Sequence, residues 1–202
     1  MRISHKHKFA FIATPKTASS TIRNCLNEYT DIKGVENHAS PYYWHTTAFD
    51  LKKHFNEKKW NWDEYFTFSF VRNPWDLMVS KYEYRNLKSR DNTKFGRESE
   101  GLLKQIKNFE DFVRKDHSGF LGHHWCFDAN GKQIVDFIGK FENLQEDFDI
   151  VCDKIGIPQQ QLPHKNKTNH KHYTEYYDDE TRQIVAEKYA KDIEMFDYEF
   201  GE

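Results

Sequence analysis

The sequence predicts an α/β fold with a mainly parallel central sheet flanked by helices. Two short apolar runs, Phe9–Ala13 and Tyr65–Val71, have the composition of strands buried on both faces. Each run leads into polar turn residues and then into a segment with helical periodicity. At 202 residues the chain is long enough to bury a sizeable core. We therefore expect a single domain, 1–202, whose ligands gather beyond the carboxyl ends of the strands.

The first strand leads through the turn "TPKTASS" into a helix. Apolar residues after the turn fall on one helix face, namely Ile22, Cys25, Leu26 and Tyr29. The backbone amides of Thr17 to Thr21 then point out of a helix start, and Lys16 adds a full positive charge. This arrangement favours a phosphate-like anion. Taken alone, simple helix capping and a solvated charge would explain it about equally well.

The second strand is followed by "RNPWD". Asn73 is expected to cap the next helix, with Pro74 at its first position and Asp76 in its first turn. Arg72 stands directly after the strand, just as Lys16 follows the first strand. Because the carboxyl ends of parallel strands meet at one edge of a sheet, we expect both cations there. One ligand with two separated anionic groups would satisfy both, although Arg72 could instead form a buried structural ion pair.

Ser80 lies eight residues after Arg72 on the same predicted helix. That spacing is a little over two helical turns, so its hydroxyl can face the group that Arg72 addresses. By itself, Ser80 would be an ordinary helix serine.

The later elements are predicted from the residues that typically begin or end helices and loops. A charged, glycine-containing stretch at about 85–125 is expected to be a mobile or acceptor-binding insertion. In "ENLQEDFDIVCDKIGIP", Asn143 and Glu146 form a capping-box-like helix start and Gly156 marks the end. A last helix is expected from Asp179 to Met195.

Composition excludes several classes of function. The net charge is -2, with 30 basic and 32 acidic residues, so no global field recruits nucleic acid or an anionic membrane. Three widely spaced cysteines argue against a disulfide framework or a cysteine zinc site. The adjacent residues His123 and His124, with His117 nearby, could suggest a metal site. On a strand, however, adjacent side chains point to opposite faces, so we expect no metal there. With no signal peptide or membrane span recognisable, we expect a soluble cytoplasmic protein.

Two motifs resemble those of a known family. "TPKTASSTIRN" is similar to the 5'-phosphosulfate loop, and "FSFVRNPWDLMVSKYEYR" to the 3'-phosphate element, of sulfotransferases that use 3'-phosphoadenosine 5'-phosphosulfate (PAPS). The similarity is greatest to the carbohydrate sulfotransferases, which include the heparan sulfate 2-O- and 6-O-sulfotransferases and short bacterial-type relatives. "VDFIGKFENLQEDFD" and the carboxyl-terminal segment from "LPHKNKTNHKHYTEYY" onward fit the bacterial type. The resemblance implies a three-layer, P-loop-like fold, PAPS as donor and no metal.

The resemblance also implies roles for individual residues. It assigns to the 5'-phosphosulfate the residues Lys16, Thr17, Ala18, Ser19, Ser20 and Thr21. It assigns Arg72 and Ser80 to the 3'-phosphate. The loop carries Ala18-Ser19 where many relatives have paired glycines, which makes a close approach of the backbone to the donor less assured. The basic segment "HKNKTNHKH", through Lys165 and Lys167, is expected to close over the phosphosulfate or to meet an anionic acceptor, or else to be a solvated loop.

The family's catalytic base is a histidine in a segment similar to "HTTAFDLKKHF", which points to His45. The local sequence supports the same assignment, because Thr46 can cap a short helix and leave His45 just before the amino terminus of that helix. There the helix dipole disfavours the imidazolium, and a base must be neutral. His38 and His54 are the competing candidates.

The predicted function is that of a PAPS-dependent O-sulfotransferase whose acceptor is a carbohydrate or another hydroxyl compound. A nucleotide-dependent kinase or hydrolase is the first alternative, since Lys16-Thr17 imitates the end of a Walker A loop. The glycines of that loop are missing, and no apolar strand ends in an evident magnesium-binding aspartate. A non-catalytic glycan or nucleotide binder is the second alternative.

Overall fold

The computed structural model describes residues 1–116, 121–163 and 171–202. Within them, strands and helices follow one another as β1 (Arg2–Ser4), β2 (Phe9–Ile12), α1 (Ser19–Cys25), β3 (Ile32–Lys33), α2 (Ala48–Glu57), β4 (Phe66–Val71), α3 (Pro74–Lys88), α4 (Lys94–Leu103), α5 (Phe109–Lys115), α6 (His123–Cys126), β5 (Phe137–Lys140), α7 (Leu144–Ile155), α8 (Asp179–Lys188) and α9 (Ala190–Phe196). The described chain divides into two compact units. The sheet unit comprises 1–72 and 121–163, and the helical unit comprises 73–116 and 171–202. The expectation of one domain stays a prediction.

The sheet unit contains a mixed five-stranded sheet in the order β3-β1-β2-β4-β5. Strands β2, β4 and β5 pair in parallel, as predicted, whereas β1 is antiparallel to both of its neighbours. The expectation of a mainly parallel sheet is therefore wrong at this edge. The reason is the short turn between β1 and β2, since a hairpin connection of this length joins only antiparallel strands. A three-residue strand, RIS, that is followed by His5 and Lys6 carries too little apolar pattern to be predicted.

Helices flank the sheet on both faces, because side chains alternate along its strands. One face buries Phe9 and Phe11 of β2 with α1 and α7. The opposite face buries Ala10 and Ile12 of the same strand with α2 and α6. Both runs predicted to be buried strands are therefore confirmed, and the loop after β2 is held at the end of a strand that cannot shift.

A glycine in β5 makes room for an aromatic ring of β4. Gly139 pairs with Phe70, which is fully buried. A Cβ atom at position 139 would lie 2.5 Å from the Phe70 ring and 3.1 Å from the Cβ of Asp147 on α7. Only glycine lets β4, β5 and α7 approach this closely without displacing the strand that leads to Arg72.

The helical unit is built around α3, which begins as predicted. The Asn73 side chain accepts a hydrogen bond from the Trp75 amide, and Pro74 and Asp76 lie in the first turn. Deeper in the unit, the ammonium of Lys81 donates to the carboxylate of Asp116 at 2.6 Å. The same carboxylate accepts from Lys188 at 2.8 Å, so the buried charge is compensated. Burial lowers the pKa of Lys81 to about 8.

Three local predictions fail. The predicted last helix is interrupted at Tyr189, which leaves the helical conformation with φ of -108° and ψ of 18° and separates α8 from α9. Its ring is fully buried and continues the apolar stripe, so periodicity could not reveal the break. The Asn143 side chain makes no capping hydrogen bond on α7, although Gly156 ends that helix in the left-handed conformation as predicted. His123 and His124 lie on helix α6 with ring centroids 4.3 Å apart, not pointing apart on a strand.

The region predicted to be an insertion is largely helical where it is described. It contains α4 and α5 and reaches into α6. Its mobility and its role in acceptor binding stay predictions. Across the described ranges, none of the helices has both the length and the apolar character needed to span a bilayer.

We predict that Gly139→Ala lowers the free energy of unfolding by about 1–3 kcal/mol, because the added methyl group overpacks the contact with Phe70. Gly101→Ala is the matched control, since a Cβ at this position on α4 meets no atom within 4 Å. It should raise the free energy of unfolding by about 0.5–1 kcal/mol through helix propensity. Chemical denaturation monitored by circular dichroism measures both. Equal effects of the same sign would contradict the packing argument.

Candidate active site

The loop between β2 and α1 has an alternating backbone conformation. Lys16 and Ala18 have φ of 67° and 56°, whereas Thr17 between them is not in the left-handed region. A residue other than glycine costs about 1–2 kcal/mol in that region. Successive residues with φ of opposite sign turn their N–H groups toward one side and form an anion-binding nest. Ala18 thus adopts the conformation that a glycine would provide at lower cost.

Four amides of this loop donate to no acceptor in the described part of the chain. Over residues 1–116, 121–163 and 171–202, no acceptor is hydrogen-bonded to the amides of Thr17, Ala18, Ser19 or Ser20. Thr17 and Ser19 are buried, so bulk water does not readily replace an acceptor. Unpaired buried donors are costly unless a ligand satisfies them. The loop therefore fits an anion with several oxygen atoms.

A chain of hydroxyl groups holds the loop in place. The Thr17 hydroxyl donates to the Thr14 carbonyl at 2.9 Å. The Thr14 hydroxyl lies 2.8 Å from the hydroxyl of Ser69 on β4, which donates to the Ile12 carbonyl at 2.8 Å. All three side chains are buried. Sequence reasoning missed Ser69, although a small hydroxyl residue within the aromatic strand "FTFSFV" was the signal.

The two predicted cations lie at the same edge of the sheet. The Arg72 guanidinium donates from Nη1 to the Lys16 carbonyl at 3.0 Å and lies 3.9 Å from the centre of the Phe141 ring. Burial, and to a smaller extent the charge of Arg72, lowers the pKa of Lys16 to about 7. Lys16 is therefore a cation that a neighbouring anion would stabilise, because an opposite charge restores the protonated form.

His45 is joined directly to the end of β2. Its Nδ1 lies 2.5 Å from the carbonyl oxygen of Ala13. A carbonyl can only accept, so Nδ1 carries the proton and, in the neutral ring, Nε2 holds the lone pair. Burial lowers the pKa of His45 to about 4, with smaller contributions from the chain's amino group, Arg23 and His38. His45 is thus neutral near pH 7 and presents a proton acceptor at Nε2.

The cause of that neutrality differs from the prediction. Thr47, not Thr46, caps α2, accepting at its hydroxyl from the Asp50 amide at 3.1 Å. The Thr46 hydroxyl instead donates to the Tyr43 carbonyl at 2.9 Å, because it faces the turn before the helix. His45 therefore lies outside the capping position, and burial is the largest cause of its low pKa.

The competing histidines have other surroundings. Nε2 of His54 lies 2.9 Å from the Tyr42 hydroxyl, and its Nδ1 lies 3.3 Å from the Glu57 carboxylate. His38 is exposed and its ring lies 4.1 Å from that of Tyr43. Within the described residues, His45 is the histidine that contacts the end of β2.

Arg23 on α1 links the loop to the segment of His45, and sequence reasoning missed it. Its Nε donates to the Ser19 carbonyl at 3.2 Å and its Nη2 to the Ser20 hydroxyl at 3.1 Å. The guanidinium lies 5.1 Å from the centre of the Trp44 ring, next to His45 in sequence. Its position one helical turn after Ser19 was the available signal.

A cavity of about 480 Å³ opens beside His45. Its lining comes from one segment of the sheet unit and consists of His38, Ala39, Ser40, Pro41, Tyr43, His45, Thr46, Thr47, Asp50, His54 and Glu57. The indole N–H of Trp125 donates to the His45 carbonyl at 3.3 Å and fixes this segment from the side of α6. The candidate base therefore borders both the loop and a space large enough for a small molecule.

The other predicted site residues lie in the helical unit or outside the described residues. Ser80 is half-buried on α3 in the helical unit. Lys165 and Lys167 lie outside the described residues, so their role stays a prediction. Among residues 1–116, 121–163 and 171–202, no group of three or more His, Cys, Asp or Glu is arranged to hold a metal ion.

Comparisons with known proteins bear on the chemistry of this site. The model of the Sulfotransferase family matches residues 1–199. An uncharacterized protein of Archaeoglobus fulgidus is 33% identical over 109 residues, which cover 48% of this chain and 73% of that protein. A solved sulfotransferase from Alicyclobacillus acidocaldarius is 14% identical with a TM-score of 0.36, and the match covers 99% of this chain and 85% of that one. Because the family pattern extends over nearly the whole sequence, the chain belongs to the sulfotransferase family.

Proposed function

We propose that the protein transfers the sulfuryl group of PAPS to a hydroxyl group of a carbohydrate. The observation that carries this proposal is the position of His45, a neutral imidazole hydrogen-bonded to the residue that begins the amide-lined loop. A base and an anion-binding nest side by side are what transfer to a hydroxyl from an anionic donor requires. Membership of the sulfotransferase family supports sulfuryl rather than phosphoryl transfer.

The donor is held by the loop and by Arg72. The amides of Thr17 to Ser20 and the ammonium of Lys16 bind the 5'-phosphosulfate, consistent with the inward-turned N–H groups of the nest. The predicted contribution of the Thr21 amide is dropped, because that amide already donates to the Ala18 carbonyl at 2.9 Å. Arg72 binds the 3'-phosphate, and the spacing in the sequence adds Ser80 to that group. Lys165 and Lys167, which lie outside the described residues, are kept in this proposal as further ligands of the phosphosulfate. Helices on both faces of the sheet and a loop after its β2 strand support a three-layer, P-loop-like arrangement.

PAPS supplies a sulfuryl group on a phosphate leaving group and therefore needs no metal from the protein. His45 takes the hydroxyl proton of the acceptor at Nε2 while the acceptor oxygen forms its bond to sulfur. The sulfur–oxygen bond to phosphate breaks, and its electron pair stays on the phosphate oxygen of the product, 3'-phosphoadenosine 5'-phosphate (PAP). Lys16 and the loop amides stabilise the charge on that oxygen, a preorganised contribution of about 3 kcal/mol for each donor.

The cellular setting is part of the same proposal. The odd number of widely spaced cysteines, namely Cys25, Cys126 and Cys152, supports a reducing, cytoplasmic location. The near balance of 30 basic and 32 acidic residues supports a small-molecule or glycan partner rather than nucleic acid or a membrane surface.

Binding of PAP should be accompanied by proton uptake at Lys16. The pKa of Lys16 is about 7 without an anion, so at about pH 8 the side chain is mostly neutral, and the bound phosphates raise its pKa. We expect uptake approaching one proton per PAP at about pH 8 and less at about pH 6, and weaker binding as the pH rises above 7. Calorimetric titration in buffers of different ionisation enthalpy measures the uptake.

Lys16→Arg is the control for this linkage, since arginine stays charged and takes up no proton. Lys16→Ala and Arg72→Ala should each weaken PAP binding at least tenfold, with no dependence on magnesium. Stronger binding of ATP with magnesium than of PAP would contradict the donor assignment and favour a kinase.

We predict that His45→Ala slows sulfuryl transfer by about 10²–10⁴-fold, because general base catalysis contributes a factor of that size. The affinity for PAP should stay within about twofold. Transfer is followed with sulfur-labelled PAPS and a panel of mono- and oligosaccharides. The matched control is His7→Gln, since His7 precedes β2 at the end of the strand opposite to the loop. Unchanged transfer in His45→Ala would refute the role of His45 as base.

A further inference from the structure

The cavity beside His45 has the dimensions of a small-molecule site. Its volume of about 480 Å³ falls within the usual range of roughly 300–1,000 Å³ for such sites. It is formed by residues of a single segment, 38–57, and this segment includes the proposed base. A hydroxyl compound in this space is therefore next to the imidazole that must take its proton.

The charges of the lining have one sign. Asp50 and Glu57 contribute carboxylates, and no lysine or arginine is among the described residues that line the cavity. A further carboxylate, Glu36, acts on the cavity from the preceding turn, since its charge contributes to the raised pKa of Tyr43. The cation Arg23 lies outside the lining and donates its hydrogen bonds to Ser19 and Ser20 of the loop. Its charge contributes to the lowered pKa of His45 in the lining.

The carboxylates are also held in place. The Asp50 carboxylate accepts a hydrogen bond from the Thr47 hydroxyl at 2.7 Å, in the first turn of α2. Glu57 lies within 3.3 Å of Nδ1 of His54, whose other nitrogen contacts Tyr42. Both carboxylates can contact a ligand, because Asp50 and Glu57 are exposed residues. A second acid brought into this space would be repelled by fixed charges of the same sign.

The remaining walls suit a sugar ring. The ring of Tyr43 lies 4.1 Å from that of His38 and 5.8 Å from that of His45, so aromatic surface and the base are adjacent. The Ser40 hydroxyl accepts from the Tyr42 amide at 3.1 Å and keeps its own O–H to donate to a ligand in the cavity. Aromatic faces with a few polar groups are typical of sites that orient a polar ligand of this size.

We propose that this cavity is the acceptor subsite and that it selects a sugar-sized hydroxyl compound which is neutral or carries an amine, and rejects one that carries an acid. The proposal rests on the proposed sulfuryl transfer. It separates the two ligands by charge, since the anionic donor binds at Lys16 and Arg72 and the acceptor at Asp50 and Glu57. The sequence had left open an anionic acceptor.

The test uses the protein saturated with PAP, so that acceptor binding is measured without turnover. Three pyranoses of equal size are titrated at about pH 7, namely glucosamine, glucose and glucuronate, and binding is followed by calorimetry or ligand-observed NMR. We expect glucuronate to bind at least tenfold more weakly than glucosamine, with glucose between them. In the variant Asp50→Asn/Glu57→Gln this ratio should fall to about threefold or less.

Two further variants keep the result specific to the cavity. Asp63→Asn removes one carboxylate charge on the turn before β4, outside the lining, and should preserve the tenfold ratio. Ala39→Trp fills the cavity from an exposed position and should abolish binding of all three sugars while PAP still binds. Thermal unfolding confirms that each variant is folded.

The outcomes distinguish this inference from the function on which it rests. If PAP does not bind, the proposed function fails. If PAP binds and glucuronate binds as well as or better than glucosamine, or if none of the three sugars binds, the charge-selective acceptor subsite is wrong while the donor site stands. A tenfold ratio that survives in the double variant also overturns the assignment to Asp50 and Glu57.

Discussion

The contact between the Ala13 carbonyl and Nδ1 of His45 is the interaction on which the site depends. It joins the carboxyl end of β2 to the segment before α2 at 2.5 Å. It also decides the chemistry, because a carbonyl accepts only from a protonated nitrogen and so leaves the lone pair on Nε2. The buried position of the ring keeps it neutral. The proposed base is thus oriented, and its tautomer fixed, by the same strand that positions the anion-binding loop.

The loop is held by bonds that do not involve a ligand. Thr17, Thr14 and Ser69 connect it through buried hydroxyl groups to the backbone of β2. These bonds offset the cost of two left-handed residues, Lys16 and Ala18. Because the strain is compensated by the surrounding structure, the amides face one way before any anion arrives. Such preorganisation is the main source of electrostatic stabilisation in active sites.

The sequence was most informative where a charged residue directly follows a buried strand. Lys16 and Arg72 each follow an apolar strand, and parallel pairing of β2 with β4 brings them into contact. Local choices were harder to predict. Thr46 and Thr47 are both good caps, and only the direction of the preceding turn decides that Thr47 is used. Strand β1 and the link made by Arg23 depend on contacts between segments distant in the sequence or on side-chain direction, which periodicity does not contain. Lys165 and Lys167 lie outside the described residues, so their assignment stays a prediction.

The arrangement of charge around His45 also explains how a base of such low pKa can act. Burial disfavours the imidazolium, and Arg23 and His38 add to the effect. In the proposed function, the negative charge of a donor at the loop opposes these cations. We therefore expect the pKa of His45 to rise in the donor complex, so that the ring is a stronger proton acceptor there. We expect Lys16 to change in parallel, since the same negative charge would raise its pKa of about 7 and give the cation that the leaving oxygen requires. In the proposed mechanism, donor binding thus prepares both residues at once, His45 to accept a proton and Lys16 to carry one.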